Sequence, residues 1–199
     1  TDAVLVDDNK TIIAAQKSLT TRFDLVIGIG EVIAKLPADK LKRVSMVSLS
    51  TTLTTNSVVE DLGAPVCVLL PGYNDAQVKQ SGLLDILPAQ FVVILDGGYD
   101  AVGVEQQPLN EKAARTAILK LKNQVSAFAI SSLFGTRNSS HEVRLKALVT
   151  ELTDMPVICG NELASSLGAP RRALTAALNA RMVPPIKELI GSVLKVLDQ

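Results

Sequence analysis

At 199 residues the chain can form one large domain or two small ones. Its 20 basic residues balance 20 acidic ones and aromatic side chains make up only 3%, so neither a general pull toward polyanions nor a set of stacking platforms points to nucleic acid. Hydrophobic residues reach 47%, enough for a real core, yet no run approaches the roughly 18 apolar residues of a membrane span. With no signal peptide visible, a cytoplasmic compartment without membrane contact is expected.

Ala3 to Val6 and Thr11 to Ala15 are two β-prone runs joined by the polar turn Asp7-Asp8-Asn9-Lys10, which predicts an antiparallel hairpin. The chain enters its first strand directly from Thr1-Asp2 and so reads as a fragment whose first element lies upstream. From Phe23 to Leu36 the apolar spacing is helical, with Thr20 or Thr21 as cap and Pro37 as stop. Gly28 and Gly30 fall inside this helix, so they do not form a phosphate loop.

The stretch from Val44 to Leu70 reads as a buried strand (Val44 to Leu49), a hydroxyl-rich turn into a helix, and a second buried strand (Val66 to Leu70). A short helix is expected from about Asp75 to Gly82, where a boundary would separate residues 1–82 from a second subdomain, 83–199. Phe91 to Leu95 is a further strand. From Leu109 the order is helix, strand, helix, strand, which predicts a parallel sheet. Asn110 caps the first of these helices over the stripe Ala114, Ile118 and Leu121. Ser126 to Phe134 is the next strand, Ser139 to Glu142 matches a capping box, and Pro156 to Cys159 is the last strand. A closing helix from about Arg171 to Leu197 carries Pro184-Pro185, which must kink or divide it. Its expected core face is Leu178, Met182, Ile186, Leu189, Ile190, Val193 and Leu197.

Thr51 and Thr52 sit where a strand turns into a helix, a place where free backbone N–H groups favour an oxygen ligand; capping alone is the competing reading. Asp96 and Asp100 flank Gly97-Gly98-Tyr99, and they could hold a cation or a substrate amine, or simply shape a hairpin turn. His141, the lone histidine, reads as a solvated residue near a helix cap. Cys67 and Cys159 lie in apolar runs and read as reduced core thiols. No complete phosphate loop, nucleophile elbow or zinc constellation is present in the sequence.

Five stretches, in order, resemble the N-terminal region of the hydantoinase/oxoprolinase family, A-type subunit. They are Thr1 to Asp7, Ser50 to Asn56 with Glu60, Asp96 to Asp100 with Pro108-Leu109, Asn138 to Glu142, and Leu174 to Arg181. The resemblance implies an α/β fold: a partial ribonuclease-H-like half of the actin, hexokinase and Hsp70 type, followed by a parallel α/β half. It implies ATP with Mg²⁺ as cofactors and opening of a cyclic amide, such as a hydantoin or 5-oxoproline, through carbonyl phosphorylation. Thr1 and Asp2 match the last two positions of the family's phosphate-binding Asp-x-Gly-Gly-Thr-x-Thr-Asp hairpin.

On that match Asp2 is the expected catalytic group and indirect metal contact, and Thr1, Asp2, Thr51 and Thr52 face the cofactor. Asn56, Asp96 and Asp100 face the substrate. By the same resemblance, a strand preceding Thr1 would lie between the Ala3 and Val44 strands. Ser50 stands where many relatives have Gly, Tyr99 where close ones have His, and Ser139 where many have Pro, departures that bear on substrate more than on fold. A B-type partner subunit within an oligomer is the implied assembly. The alternatives are a non-catalytic binding or assembly lobe of such an enzyme, docking its partner through the closing helix, or part of a ketone carboxylase or other kinase-like ATPase of the same fold.

Overall fold

The Asp-Asp-Asn-Lys turn closes a hairpin as its composition predicts. Strands β1 (Asp2–Val6) and β2 (Ile12–Lys17) pair antiparallel, with Asp2 opposite Lys17 and Val4 opposite Ala15. Asp7 fixes the turn: its Oδ1 accepts the N–H groups of Asn9 and Thr11 at 2.9 and 2.8 Å, and Lys10 adopts a positive φ of 63°. Helix α1 (Leu25–Ala34) follows and buries Ile29 and Val32. Its cap is Asp24, whose side chain accepts from the Val26 N–H, whereas Thr21 Oγ1 accepts from Gly28 N–H at 3.0 Å inside the helix. Gly28 is needed for close approach, since a Cβ there would come within 2.7 Å of the Leu19 carbonyl. A single-turn helix, α2 (Ala38–Leu41), comes next.

This computed structural model describes residues 1–21, 24–52 and 63–198. They fall into two units, Thr1–Thr52 with Ile186–Gln199, and Leu53–Pro185. Val66–Pro71 (β3) joins the sheet of the second unit.

One expected strand is absent. Val44 to Leu49 is irregular and exposed, Met46 to 81% and Leu49 to 49%. A strand buried on both faces needs ladder partners on both edges. Among the described residues β1 and β2 pair only with each other, and β3 pairs with two strands of the second unit. The helix expected after Ser50 falls largely on residues 53–62, outside the described ones.

The second unit is a parallel sheet with helices on both faces. Strand β3, β4 (Val92–Leu95), β7 (Ala127–Ile130) and β8 (Val157–Cys159) lie in the order β4-β3-β7-β8. Between β3 and β4 run α3 (Asp75–Ser81) and α4 (Leu83–Ile86). Asn74 and Gln77 form a full capping box at the start of α3, and Gly82, at φ 76°, ends it. Between β4 and β7 come the short hairpin β5 (Gly98–Tyr99) and β6 (Glu105–Gln107), then α5 (Glu111–Leu121). Helix α6 (Ser140–Leu152) links β7 to β8, and α7 (Gly160–Leu163) leads to α8 (Ala169–Leu197).

Strand periodicity sorts the core into two layers. Cys67, Leu69, Phe128 and Ile130 face α5 and α6 through Ala114, Ile118, Leu145 and Val149. Val66, Val68, Leu70, Ala127 and Ala129 face the other side, against Ala173, Ala176, Ala177 and Ala180 of α8. Small residues on both surfaces let α8 lie close to the sheet. The helix therefore buries an alanine stripe, while Ile190 and Leu197 of its expected core face are 45% and 44% exposed. It continues through Pro184-Pro185, and the division between units falls immediately after them. Both cysteines are free and buried, with burial pushing each thiol up to about 12.

Candidate functional site

In the first unit, Asp2 lies on an open groove of about 560 Å³ over the β1–β2 hairpin, with Val4, Ala15, Gln16 and Lys17. Hairpin register puts Asp2 and Lys17 opposite each other, and Lys17 Nζ stands 3.5 Å from Asp2 Oδ1. The Asp2 side chain is 64% exposed, so this ion pair is easily exchanged for another cation. Thr1 Oγ1 contacts Thr20 Oγ1 at 3.1 Å. Thr51 and Thr52 are exposed. An exposed carboxylate such as that of Asp2 is a hard oxygen ligand that suits a Mg²⁺ whose remaining ligands are phosphate and water. Among the described residues no group of three or more His, Cys, Asp or Glu is placed to hold a metal without such help.

The second unit offers a different kind of place. Strand order reverses between β3 and β7, and in open parallel sheets the carboxyl ends at such a reversal are where ligands bind. The chain leaves β3 and β4 by glycine crossings: Gly72 has φ 80°, Gly98 has φ 128°, and a Cβ on Gly72 would stand 2.9 Å from Gly98 Cα. A polar network fills the space beneath. Tyr73 Oη donates to the Ala169 carbonyl at 2.6 Å and contacts Ser131 Oγ at 3.1 Å, and burial pushes the phenol up to about 12. Glu142 is wholly buried; its two oxygens accept the N–H groups of Ser132 and Asn161 at 2.8 and 2.9 Å. Burial raises the Glu142 carboxyl, against the opposing pull of those two N–H groups and of Arg172. Arg172, 3% exposed, donates to the Ser132 carbonyl at 2.8 Å and the Ser166 carbonyl at 3.3 Å.

Asp96 and Asp100 stand near these strand ends. Asp96, exposed, takes Asn110 Nδ2 on its Oδ2 at 3.1 Å. Asp100 accepts the Val102 and Val104 N–H groups on Oδ1 and Gln106 Nε2 on Oδ2, all at 2.9 to 3.0 Å, so it organises the β5–β6 hairpin. His141 is fully buried rather than solvated. Its Nδ1 accepts the Gly98 N–H at 3.3 Å, its Nε2 meets Glu105 Oε1 at 2.8 Å, and its ring lies 4.3 Å from that of Tyr99. This pattern assigns the ring proton to Nε2. Ser139 makes no cap bond; Asn138 Oδ1 accepts the Ser140 N–H instead, at 3.1 Å, and Glu142 turns inward. Asn56 lies outside the described residues.

Thus Thr1, Asp2, Thr51 and Thr52 belong to the first unit, and Asp96 and Asp100 to the second. The Glu142–Arg172 network was not anticipated. Its one sequence signal is the Ser-x-x-Glu pattern, which reads equally well as a cap.

Residues 1–153 match the family model of the hydantoinase/oxoprolinase N-terminal region. The chain belongs to this family. Among its relatives are the acetophenone carboxylase gamma subunit of Aromatoleum aromaticum, 24% identical over 96% of this chain and 31% of that protein, and the caprolactamase subunit alpha of Pseudomonas jessenii, 27% identical over 78% and 25%. The chain therefore spans a third or less of the length of these relatives. The fold is shared with the crystal structure of the ATP-dependent caprolactamase from Pseudomonas jessenii, at TM-score 0.77 and 24% identity over 98% of this chain and 32% of that one. It is also shared with nucleotide-free acetone carboxylase, described in a study of ATP-dependent acetone carboxylation, at TM-score 0.74 and 18% identity over 99% and 32%.

Proposed function

We propose that this hydantoinase/oxoprolinase N-terminal region serves an ATP-dependent amidohydrolase that opens a cyclic amide. The observation that carries the reading is the similarity to a caprolactamase subunit, 27% identical over 173 residues, since a lactam is itself a cyclic amide. Bound ATP supplies the phosphoryl group that turns a ring carbonyl into a centre open to water. Asp2, on the hairpin groove, offers its carboxylate to the Mg²⁺ of the nucleotide in exchange for Lys17. Thr1, Thr51 and Thr52 offer hydroxyls to phosphate oxygens, and Asn56, Asp96 and Asp100 contact the substrate. A B-type subunit completes the assembly in the cytoplasm.

A second reading, ATP-dependent ketone carboxylation, draws on the acetophenone carboxylase gamma subunit, whose match covers 96% of this chain. Both readings require nucleotide at the same groups, so the first test concerns Asp2. The variant Asp2→Asn should lower ATP turnover by about tenfold or more, the scale of one lost charged contact to a transferring phosphoryl group. Its stability should change by less than about 0.5 kcal/mol, because only an exposed ion pair is lost. Unchanged ATP turnover and unchanged Mg²⁺ dependence in Asp2→Asn would remove Asp2 from the site.

A further inference from the structure

Beside the outer edge of β4 runs an open groove of about 550 Å³. Val93, Ala113 and Ala117 line it together with Lys112, Lys120 and Gln90. Among the described residues β4 pairs with β3 alone, so it is an edge strand of the sheet they form. The Leu95 carbonyl accepts the Gly72 N–H on the β3 side. Because backbone polar groups alternate in direction along a strand, Val93 also points to β3, while Val92 and Ile94 point outward. The Val92 N–H is taken by the Ala89 carbonyl in the preceding turn. That leaves the Ile94 N–H and the Val92 and Ile94 carbonyls facing the open edge. The strand is Val-Val-Ile-Leu, with none of the charges, prolines or bulges that ordinarily blunt an edge.

The groove has a definite electrostatic sign. Lys112 and Lys120 are exposed and have no ion-pair partner among the described residues, and no acidic side chain lines the groove. The acidic residue beside Lys112, Glu111, is held by Arg144 Nε at 2.8 Å. The two lysines lie on one face of α5, eight residues apart, which is about 12 Å along a helix axis. In an extended segment, residues i and i+4 lie on one face and about 13 Å apart. The spacings match. Asn110, at the start of α5, donates its backbone N–H to the Asp96 carbonyl at the end of β4, so helix and strand run side by side in opposite directions.

We propose that the β4 edge and the α5 face together bind an extended acidic segment of a partner protein, of the pattern acid-x-apolar-x-acid, by strand addition. Its backbone pairs with Val92 and Ile94. Its two carboxylates meet Lys112 and Lys120, and its central apolar side chain covers Ala113 and Ala117. Main-chain bonds supply affinity and the alternate side chains supply selectivity, as in other edge-strand recognition. The inference does not depend on the reaction assigned above.

The test uses a labelled, end-blocked peptide containing Glu-Thr-Val-Thr-Glu and a counterpart with Lys in place of both Glu residues. Fluorescence anisotropy measures binding, and hydrogen exchange follows the Ile94 amide. The Glu peptide should bind about tenfold more tightly than the Lys peptide at low salt, the scale of two exposed ion pairs gained against two repulsions. It should slow exchange at Ile94, and the double variant K112E/K120E, which changes only exposed side chains, should reverse the preference. Equal binding of the two peptides, or binding without protection of Ile94, would overturn the proposal. So would protection of Ile94 that rises with protein concentration in the absence of peptide, which would make a second copy of the chain the occupant.

Discussion

Glu142 shows what a single buried carboxylate does in this fold. Each oxygen receives one backbone N–H, and Gly135 makes room for it, since a Cβ there would stand 2.2 Å from Oε1. Glu142→Gln replaces one acceptor by a donor that faces an N–H, so it should destabilise the protein by about 2 kcal/mol, read from urea denaturation. The size of the effect depends on pH. Burial raises the Glu142 carboxyl above its unfolded value, so the native state holds the proton more tightly than the unfolded chain does. The stability this confers is complete below an unfolded value of about 4.3 and is lost as pH rises above it. The gap between wild type and Glu142→Gln should therefore be wider at pH 4 than at pH 7; a constant gap would contradict the assigned direction. Neither Glu142 nor His141 was legible in the sequence. Both occupy the first turn of a helix, where polar residues ordinarily meet solvent, and only the tertiary approach of Gly98, Glu105, Ser132 and Asn161 makes them interior.

At the scale of elements, some local signals were read correctly, whereas the Ser139–Glu142 capping box and the Thr20 or Thr21 cap were not, since Ser139 makes no cap bond and Asp24 caps the first helix. The Asp7 turn and the Asn110 cap each combine a polar side chain with the N–H it satisfies, all within a few residues. Asn110 has a second task, holding Asp96, so Asn110→Ala should cost about 1 kcal/mol in stability and also loosen the Asp96 carboxylate. Denaturation of Asn110→Ala beside Asp96→Ala would separate the two contributions. Non-local features were not legible. Val44 to Leu49 has the composition of a buried strand, but composition cannot supply a ladder partner, and none is found among the described residues. The closing helix was read by its large apolar residues, whereas the sheet selects its alanines, because Ala127 and Ala129 present a shallow surface. Ala176→Leu should consequently overpack this layer and cost about 1 to 3 kcal/mol, visible as a lowered melting temperature with secondary structure retained.

At the scale of the whole molecule, the alternation of helices and strands after Leu109 was enough to give the parallel α/β class, and the five ordered motifs gave the family that the match over residues 1–153 establishes. Which sheet β3 joins was not readable from its composition; its pairing with β4 and β7 decides that. Chemistry is the furthest removed from the fold, since lactam opening and ketone carboxylation are both represented among proteins that share it. The most direct test of the proposed reaction is ADP release by the full-length protein, with and without the proposed B-type subunit, across 5-oxoproline, hydantoin, caprolactam and simple ketones. Stimulation by a ring amide, abolished by Thr51→Ala with Thr52→Ala, is the predicted result. Stimulation by a ketone with no response to any ring amide would contradict it.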